Sequence, residues 1–253
     1  MDMQDFSFQG KVYLGSRGTD GKPLALEWVG DAPTLQLKFS TDKSDRTESF
    51  SGNRVQSAQL KKGKKVGLSL TLNYFGAKQL ALGLYSTVNT VTSGTATAEA
   101  FPADLVVGDV VALAHGNVSS VVITDSAVGP ATLTKDTDYT EESLAGGLIK
   151  IKSVGSFTQP FKAAYSYAGG TDVTMFTGDI PERYLLLDGI NTVDNSRAIV
   201  RLWRCAFDPI SQLDLISDDF GQLQLGGSVL FDTINAADSA LGGFGKIELP
   251  ASS

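Results

Sequence analysis

The chain has 253 residues, of which 42% are hydrophobic and 19% are charged, with a net charge of −7. This length can bury a substantial core, and the composition excludes disorder as the main state. The acidic balance argues against tight binding to nucleic acid, because much of that affinity comes from neutralising phosphates. A single cysteine, Cys205, excludes an internal disulfide, and a single histidine, His115, leaves few possible metal sites or catalytic triads.

The first part of the chain predicts short strands with one apolar face. Phe6–Leu14 alternates, and Gly10 leaves a gap on its apolar side that indicates a bulge or a close backbone approach. Leu24–Val29 predicts a second strand. Thr34–Ser40 alternates most regularly, with three apolar residues on one side and polar residues on the other. Such a strand has one buried face and one wet face.

A polar stretch and a helix follow. Thr41–Gln59 carries charges of both signs and predicts a long loop or an extended hairpin arm. Val66–Leu72 predicts a half-buried strand, and Asn73–Tyr85 has the three- and four-residue apolar spacing of a helix, with Asn73 as its N-cap. Between them lies a basic cluster around Gly63, which we interpret as a turn at a solvated hairpin end or as a partner for an acidic neighbour in an assembly. Its members are Lys61, Lys62, Lys64 and Lys65.

Residues 95–168 predict a separate module, because short apolar runs alternate there with glycine-containing turns, as is typical of a small β-sandwich. Residues 1–94 and 169–253 then form one discontinuous domain. The strands predicted for the module are Val106–Ala114, Ser120–Ile123, Ala131–Leu133, Leu148–Ile151 and Phe161–Tyr167.

The C-terminal part predicts a return to the main domain. Its predicted strands are Val173–Thr177, Glu182–Leu187, Arg197–Phe207, Ile210–Ile216 and Gln222–Asp232. A turn at Asp188 and Gly189 would end the second of these strands, and the acidic turn Ser217–Asp219 would separate the last two. That last pair, like the pair formed by Thr34–Ser40 and Val66–Leu72, has one apolar and one mainly polar face. A sheet with a smooth polar face is suited to lining a wide, non-adhesive channel.

No catalytic constellation is evident in the sequence. His115 lies in a turn of the module, where a surface histidine is the simpler explanation, and Cys205 lies in an apolar strand as a packing residue. Asp214, Asp218 and Asp219 suggest a cation site but lack the six or more regularly spaced oxygen ligands that Ca²⁺ requires. We therefore expect no metal, no cofactor and no enzymatic activity.

The order of these elements resembles the major tail tube proteins of long, non-contractile-tailed bacteriophages. The resemblance covers nearly the whole chain. The segments that carry it are the strand Thr34–Ser40, the stretch Thr41–Gln59, the strand Val66–Leu72, the helix core LALGLY at 80–85, and the closing strands from ERYLLLDGINTV through RLWRCAFDPISQLDLISDDFGQLQLGGSVLFD. The module, with ATLTKDTDYT, GGLIKI and FKAAYSYAG, is similar to the immunoglobulin-like decorations of phage tail proteins.

The resemblance implies a mostly β fold: a two-sheet β-sandwich or partial barrel with one flanking α-helix, plus an inserted immunoglobulin-like β-sandwich. It implies a structural protein of the virion tail, assembled in the host cytoplasm. Six copies would form a ring, with four strands from each closing an inner barrel, and rings would stack into a tube through which DNA passes into the host without specific binding. The implied partners are a tape-measure protein inside the tube and tail terminator and distal tail proteins at its ends, with no membrane.

Two sets of residues follow from this interpretation. The first would line the channel with an uncharged-to-negative wall, to which Lys38 is an exception: Thr34, Gln36, Lys38, Gln212, Asp214, Gln222 and Gln224. The second lies in Thr41–Gln59 and would contact the next ring: Asp42, Asp45, Arg46, Glu48, Phe50, Asn53 and Arg54.

The alternative function is a secreted or surface β-sandwich module that binds carbohydrate or protein. The acidity and the inserted module fit it. Against it, the first residues, MDMQDFSFQG, do not read as a secretory signal, and no aromatic platform is evident in the sequence. An enzyme would need a nucleophile and a base that the sequence does not supply.

Overall fold

A computed structural model describes residues 5–250 of the chain. The chain divides into two compact units, Met1–Val88 with Val173–Ser253 and the inserted Asn89–Asp172. The inserted unit extends a few residues further at each end than the 95–168 that the sequence predicts. Strands make up 49% of the structure and helix 4%, so the prediction of a mostly β fold with one α-helix is confirmed.

The strands and the helix of the described residues are numbered in chain order. They are β1 (Phe8–Arg17), β2 (Pro23–Trp28), β3 (Thr34–Thr47), β4 (Gln56–Leu72), α1 (Ala77–Leu84), β5 (Val88–Val91), β6 (Gly94–Ala100), β7 (Val110–Ala112), β8 (Val118–Thr124), β9 (Tyr139–Ser143), β10 (Leu148–Ile151), β11 (Lys162–Tyr167), β12 (Gly170–Val173), β13 (Glu182–Asn191), β14 (Arg197–Phe207), β15 (Leu223–Val229) and β16 (Gly245–Glu248).

The main unit is built on one antiparallel sheet in the order β2-β1-β13-β14-β15-β4-β3, with β16 paired to β14. A single hydrophobic core joins residues from both ends of this sheet, such as Val12 on β1 and Leu70 on β4. The sheet therefore folds back on itself, so that its two halves form the two layers around the core. Helix α1 contributes Leu82 to the same core.

The predicted close backbone approach at Gly10 is confirmed. A Cβ atom at this position would lie 2.2 Å from the carbonyl oxygen of Asp188, so only glycine fits against β13 there. The predicted turn at Asp188 and Gly189 is wrong. Both residues lie inside β13, where Gly189 pairs with Gly10 on one side and Ala198 on the other. A glycine in a strand can mark close packing as well as a turn.

The helix begins later than predicted, and Asn73 does not cap it. The N-cap of α1 is Gly76, which makes no side-chain hydrogen bond. The side-chain amide of Asn73 donates to Asp31 Oδ2 at 2.6 Å, and its carbonyl accepts from Gln222 Nε2 at 3.0 Å. Asn73 therefore links its own segment to those that contain Asp31 and Gln222, at a position where the sequence predicts the start of a helix.

The long strand Arg197–Phe207 has the predicted bounds, whereas the predicted strand Ile210–Ile216 is absent. The chain leaves β14 at Pro209, which has no N–H to donate to a sheet. Ile210 and Leu213 then pack against the core without forming a strand. The predicted strand Val173–Thr177 is also wrong, because β12 ends at Val173.

The inserted unit is a small sandwich of two three-stranded sheets, β7-β10-β9 and β6-β11-β8. Residues such as Ile123, Ile149 and Ala163 from the two sheets share one fully buried core. Strands β6 and β9 are missed by the sequence, and the predicted Ala131–Leu133 forms only an isolated bridge through Thr132. Strands β5 and β12, through which the chain enters and leaves this unit, pair with each other.

Candidate functional site

A polar sheet face is formed by three neighbouring strands of the main unit, β3, β4 and β15. Directly paired residues of antiparallel strands project from the same side of the sheet. The register thus aligns Thr34 with Thr71 and Thr71 with Gln224, and it aligns Gln36 with Ser69. We define the polar face by nine positions: Thr34, Gln36, Lys38, Gly67, Ser69, Thr71, Gln224, Gly226 and Ser228.

The opposite side of the same strands is dry. One row consists of Leu35, Leu70 and Leu225, of which the last two are almost completely buried. Helix α1 covers this side at Gly83, where a Cβ atom would lie 2.6 Å from Ile210 Cγ2 and 3.2 Å from Leu225 Cδ2. The leucine side chains fix the orientation of the strands, because a slip of one residue would move the whole apolar set into water.

The structure brings four of the seven predicted channel residues onto the polar face: Thr34, Gln36, Lys38 and Gln224. Gln222 precedes β15 and donates to Asn73. Gln212 and Asp214 do not join the face, because they lie in the irregular stretch after β14, where Gln212 Nε2 donates to Asp214 Oδ1 at 2.6 Å. Sequence reasoning omitted Ser69, Thr71 and Ser228, although the alternation along β4 and β15 could have found them.

The charge of the polar face differs from the predicted uncharged-to-negative wall. None of its nine positions is acidic, and Lys38 is its one ionisable residue. Lys38 makes no ion pair with any residue in 5–250. Further along the same strands, Lys65 pairs with Asp42 at 2.7 Å, so the two charges there compensate each other. The face is therefore polar and close to neutral, with one uncompensated cation.

A hairpin arm, residues 41–64, extends β3 and β4 beyond the core. The prediction of an extended hairpin arm is confirmed, and that of a long loop is wrong. Pairing continues from Thr41 opposite Lys64 to Thr47 opposite Gln56, with two register shifts. The side chains on both surfaces of the paired strands are exposed. Backbone pairing and a few side-chain hydrogen bonds hold the arm, and neither hydrophobic core of residues 5–250 includes any of its residues.

The tip of the arm is organised around Glu48. Its carboxylate accepts the N–H groups of Phe50 at 3.0 Å and Ser51 at 2.9 Å, and also the hydroxyl of Ser51. The hydroxyl hydrogen bond of Ser51, together with these backbone donors, holds the pKa of Glu48 below its usual value. Glu48 is only 6% exposed, whereas Phe50 beside it is 89% exposed. The tip is thus an ordered turn that presents an aromatic ring to solvent.

The predicted contact residues differ in what they can offer to another ring. Glu48 is directed into the tip and is not available, and Asp45 already accepts Gln56 and Gln59 side chains at 2.8 and 3.0 Å. Arg46 and Phe50 are exposed, as are Asn53 and Arg54. Gly63 is not at a turn, because β4 continues through it.

The arm is basic although the chain is acidic. It carries six basic and three acidic residues, on a chain of net charge −7. Lys43 lies directly opposite Lys61, an arrangement of like charges that destabilises an isolated hairpin. The arm therefore carries more positive than negative charge, with two lysines facing each other across the strands.

Other chemistry-bearing residues form packed clusters. Burial raises the pKa of the Cys205 thiol, which lies inside the core and away from solvent. In the inserted unit, His115 stacks on Tyr167 with ring centroids 3.7 Å apart, and its Nδ1 lies 3.0 Å from the hydroxyl of Tyr165. Tyr165 in turn donates to Glu99, and its burial and this carboxylate raise the pKa of Tyr165 to about 12.

Within residues 5–250, no group of three or more histidine, cysteine or acidic side chains is arranged to hold a metal ion. Among the same residues, no helix has the length and apolar character needed to span a membrane.

A family model described as "Protein of unknown function UCP028589" matches residues 5–248. The match covers nearly the whole chain and includes both units, the polar face and the hairpin arm, so the chain belongs to this family. No curated protein matches the chain.

Proposed function

We propose that this member of the UCP028589 family is a ring-forming structural subunit whose stacked hexamers build a DNA-conducting tube, as in the major tail tube of long, non-contractile-tailed phages. The observation that carries the proposal is the register of β3, β4 and β15. It places nine polar or small positions on one open face while the other face of the same strands packs against the core. A face without large apolar or acidic side chains suits a wall along which DNA must slide.

The edge of the sheet also favours a closed assembly. Strand β3 is an edge strand over all its 14 residues, and its outer side pairs with no strand of residues 5–250. A long exposed edge invites pairing with another chain, and closure into a barrel removes it. The polar face uses three strands, and β14, which pairs with β15 through Cys205–Phe207, supplies the fourth strand of each copy in this proposal. With four strands from each of six copies, spaced about 4.8 Å apart and tilted by about 40°, the backbone cylinder is about 50 Å wide. Side chains narrow this to about 40 Å, which admits a DNA duplex.

The mechanism that we propose is passive conduction. DNA carries a charge every 1.7 Å or so along its axis, and proteins bind it largely by neutralising phosphates with lysine and arginine. The polar face offers hydroxyls, amides and glycines, with Lys38 as its one cation. Such a wall retains DNA weakly. Because none of the nine positions is acidic, the wall does not repel DNA. The duplex stays mobile because the wall attracts it only weakly.

The hairpin arm supplies the contact between rings in this proposal. Its exposed Phe50 and its excess of basic residues would meet an acidic surface of the next ring. Charges at the rim of such a contact set register and association rate more than affinity. A tape-measure protein would occupy the channel during assembly, and terminator and distal tail proteins would cap the tube.

Electron microscopy of the purified protein at rising concentration tests the assembly. We expect rings or hollow rods with a channel of about 40 Å. Discrete monomers at every concentration would contradict the proposal.

Lysine substitutions test which face lines the channel. Gln36→Lys with Gln224→Lys places two cations per subunit on the polar face, whereas Ser119→Lys with Thr132→Lys adds the same charge at exposed positions of the inserted unit. We expect sedimented tubes of the first variant to retain a short DNA duplex at low salt and to release it as salt rises. Equal retention by both variants would show that the polar face does not line the channel.

One observation favours a second candidate, the carbohydrate-binding module. The stacked His115 and Tyr167 border a cleft of about 430 Å³ in the inserted unit, with Asn117, Thr171 and Asp172 as polar neighbours. Aromatic rings beside a few polar groups are typical of small-ligand sites. A glycan array with the chain and with Tyr167→Ala tests it: binding that the substitution removes, shown by a protein that forms no rings, would favour this function.

A further inference from the structure

A short segment after β14 combines acidic and exposed apolar side chains. We name Asp214–Phe220 the acidic apolar segment. Ile216 is 97% exposed and Phe220 is wholly exposed, with Leu215 little less so. Asp218 and Asp219 lie between these residues and form no ion pair with any residue in 5–250. Large apolar side chains clustered on one exposed segment are typical of interaction sites.

A cleft elsewhere in the main unit has the complementary character. It has a volume of about 410 Å³ and lies between β1, β2, α1 and β13. Core residues Leu14, Val29 and Leu82 form its floor, and Trp28 borders it. The volume is in the range of sites that hold small ligands or single anchoring side chains.

The cleft also contains an arginine side chain that has no carboxylate partner. Arg183 is half-buried there and donates from Nη1 to the backbone oxygen of Glu182 at 2.9 Å. The carboxylate of Glu182 is bound by Arg204 at 2.8 and 3.0 Å. Glu27 is bound by Lys78 at 2.6 and 2.8 Å.

No acidic residue within 5–250 therefore pairs with Arg183. A guanidinium has five N–H donors in a fork that matches a carboxylate. Burial without a carboxylate also lowers the pKa of Arg183.

We propose that the acidic apolar segment of one copy docks in the cleft of a second copy, with Phe220 on the apolar floor and Asp219 paired with Arg183. The two surfaces are complementary. The exposed ring of Phe220 would fill a concave apolar cleft, and the exposed carboxylate of Asp219 would pair with Arg183, which has no carboxylate partner of its own. This inference rests on the proposed function, since it names the surface by which ring subunits join.

The contact uses two different patches of one chain, so it is heterologous. Such a contact generates a closed ring when the rotation between copies closes, and an open filament when it does not. It would cover the largest exposed apolar side chains of the segment and neutralise Arg183 in one step.

Disulfide trapping tests the contact directly. Ser217 lies in the segment and Ser16 borders the cleft, and both are exposed, while Cys205 is buried and does not compete. We expect a mixture of Ser16→Cys and Ser217→Cys proteins to form disulfide-linked dimers under mild oxidation. A mixture of Ser119→Cys and Ser217→Cys is the control, because Ser119 is exposed on β8 of the inserted unit. Equal yields in the two mixtures would overturn the inference.

Charge exchange tests the predicted pair. We expect Asp219→Arg and Arg183→Asp each to raise the concentration for half-maximal association about tenfold or more, as loss of an interface anchor does. The double variant should recover most of the association. Phe220→Ala should weaken association to a similar extent, and its thermal unfolding should match that of the parent chain because Phe220 contacts no core residue.

The outcomes separate this inference from the proposed function. Tubes that form normally in Phe220→Ala and in the charge variants, without selective cross-linking, would overturn the docking contact and leave the proposed function standing. A parent chain that forms neither rings nor selective cross-links would overturn both. Selective cross-links that build filaments without a channel would support the contact and contradict the tube.

Discussion

The inner and outer halves of the β3–β4 hairpin are made of the same two strands but are stabilised in different ways. In the inner half, Leu35 pairs with Leu70 and the pair is covered by the core. In the outer half, the hairpin arm, Ser44 pairs with Leu60 and both side chains are exposed. The ladder is continuous apart from two register shifts, so the difference lies in the side chains.

The comparison shows which half the subunit needs for itself. The inner half derives its stability from apolar burial, whereas the arm has backbone pairing, side-chain hydrogen bonds at Glu48 and Asp45, and one exposed ion pair, Asp42 with Lys65, at its base. A two-stranded hairpin without a core is marginally stable in water at best. These features support the role in contact between rings that we propose for the arm.

The largest expected effect comes from removing the arm. Replacing Asp45–Gln59 with Asn-Gly leaves Ser44 and Leu60 paired across a two-residue hairpin turn. We expect the free energy of unfolding to change by less than about 1 kcal/mol, because exposed residues contribute little, while tube formation is lost. Sedimentation and microscopy measure assembly, and urea unfolding measures stability. Tubes of normal length from this variant would show that the arm is not an assembly element.

A pair of leucines on β4 sharpens the contrast within one strand. Leu70 is fully buried and Leu60 is 63% exposed. We expect Leu70→Ala to cost about 2–5 kcal/mol, because it leaves a cavity between two layers, and Leu60→Ala to stay within about 0.5 kcal/mol. Urea titration with an unchanged slope gives both values. Similar costs for the two variants would mean that the arm folds against a core of its own.

The tip of the arm should respond to pH. Because hydrogen bonds from Ser51 and Phe50 lower the pKa of Glu48, the carboxylate stabilises the tip at pH values above its ordinary pKa of about 4.3 and loses this effect as pH falls through the lowered pKa. We expect the amide protons of Phe50 and Ser51 to lose protection from exchange in that range. In Glu48→Gln the protection should be low throughout and independent of pH. Identical pH profiles for the two proteins would exclude this role for Glu48.

The smallest effect is expected where the two halves meet. Asp42 and Lys65 form an ion pair at 2.7 Å with both side chains at least half exposed. Exposed pairs contribute about 0–1 kcal/mol and are screened by salt. Asp42→Asn should therefore destabilise the chain by less than about 1 kcal/mol. The difference from the parent should vanish at high salt, and a larger, salt-independent loss would indicate a structural role for Asp42.

The elements that the sequence predicts best are those in which the pattern of apolar side chains reflects burial in the core. The alternation of Thr34–Ser40 and the apolar run Arg197–Phe207 identify strands correctly, because one or both of their faces pack in the core. The outer half of β3 has no buried face, so its side chains follow no period and the sequence leaves a loop and an arm as alternatives. Burial, not propensity, carries most of the readable signal.

The candidate site is only partly readable for the same reason. Gln36 and Gln224 belong to strands that the alternation identifies, and pairing through β4 places them on one face. Gln212 and Asp214 alternate with apolar residues as in a strand, but this alternation is accidental. Ile210 and Leu213 pack on the core without entering a sheet. Asn73 has the residue type of a helix cap, yet its amide binds Asp31. Long-range partners of this kind leave no local pattern.

The pairing of β5 with β12 brings the two ends of the inserted unit side by side, one strand spacing or about 4.8 Å apart. A short turn could join them directly. The distance that the insert must span is therefore small, whatever the length of the insert. An insert of another length would therefore need no change in the strands of the main unit that flank it.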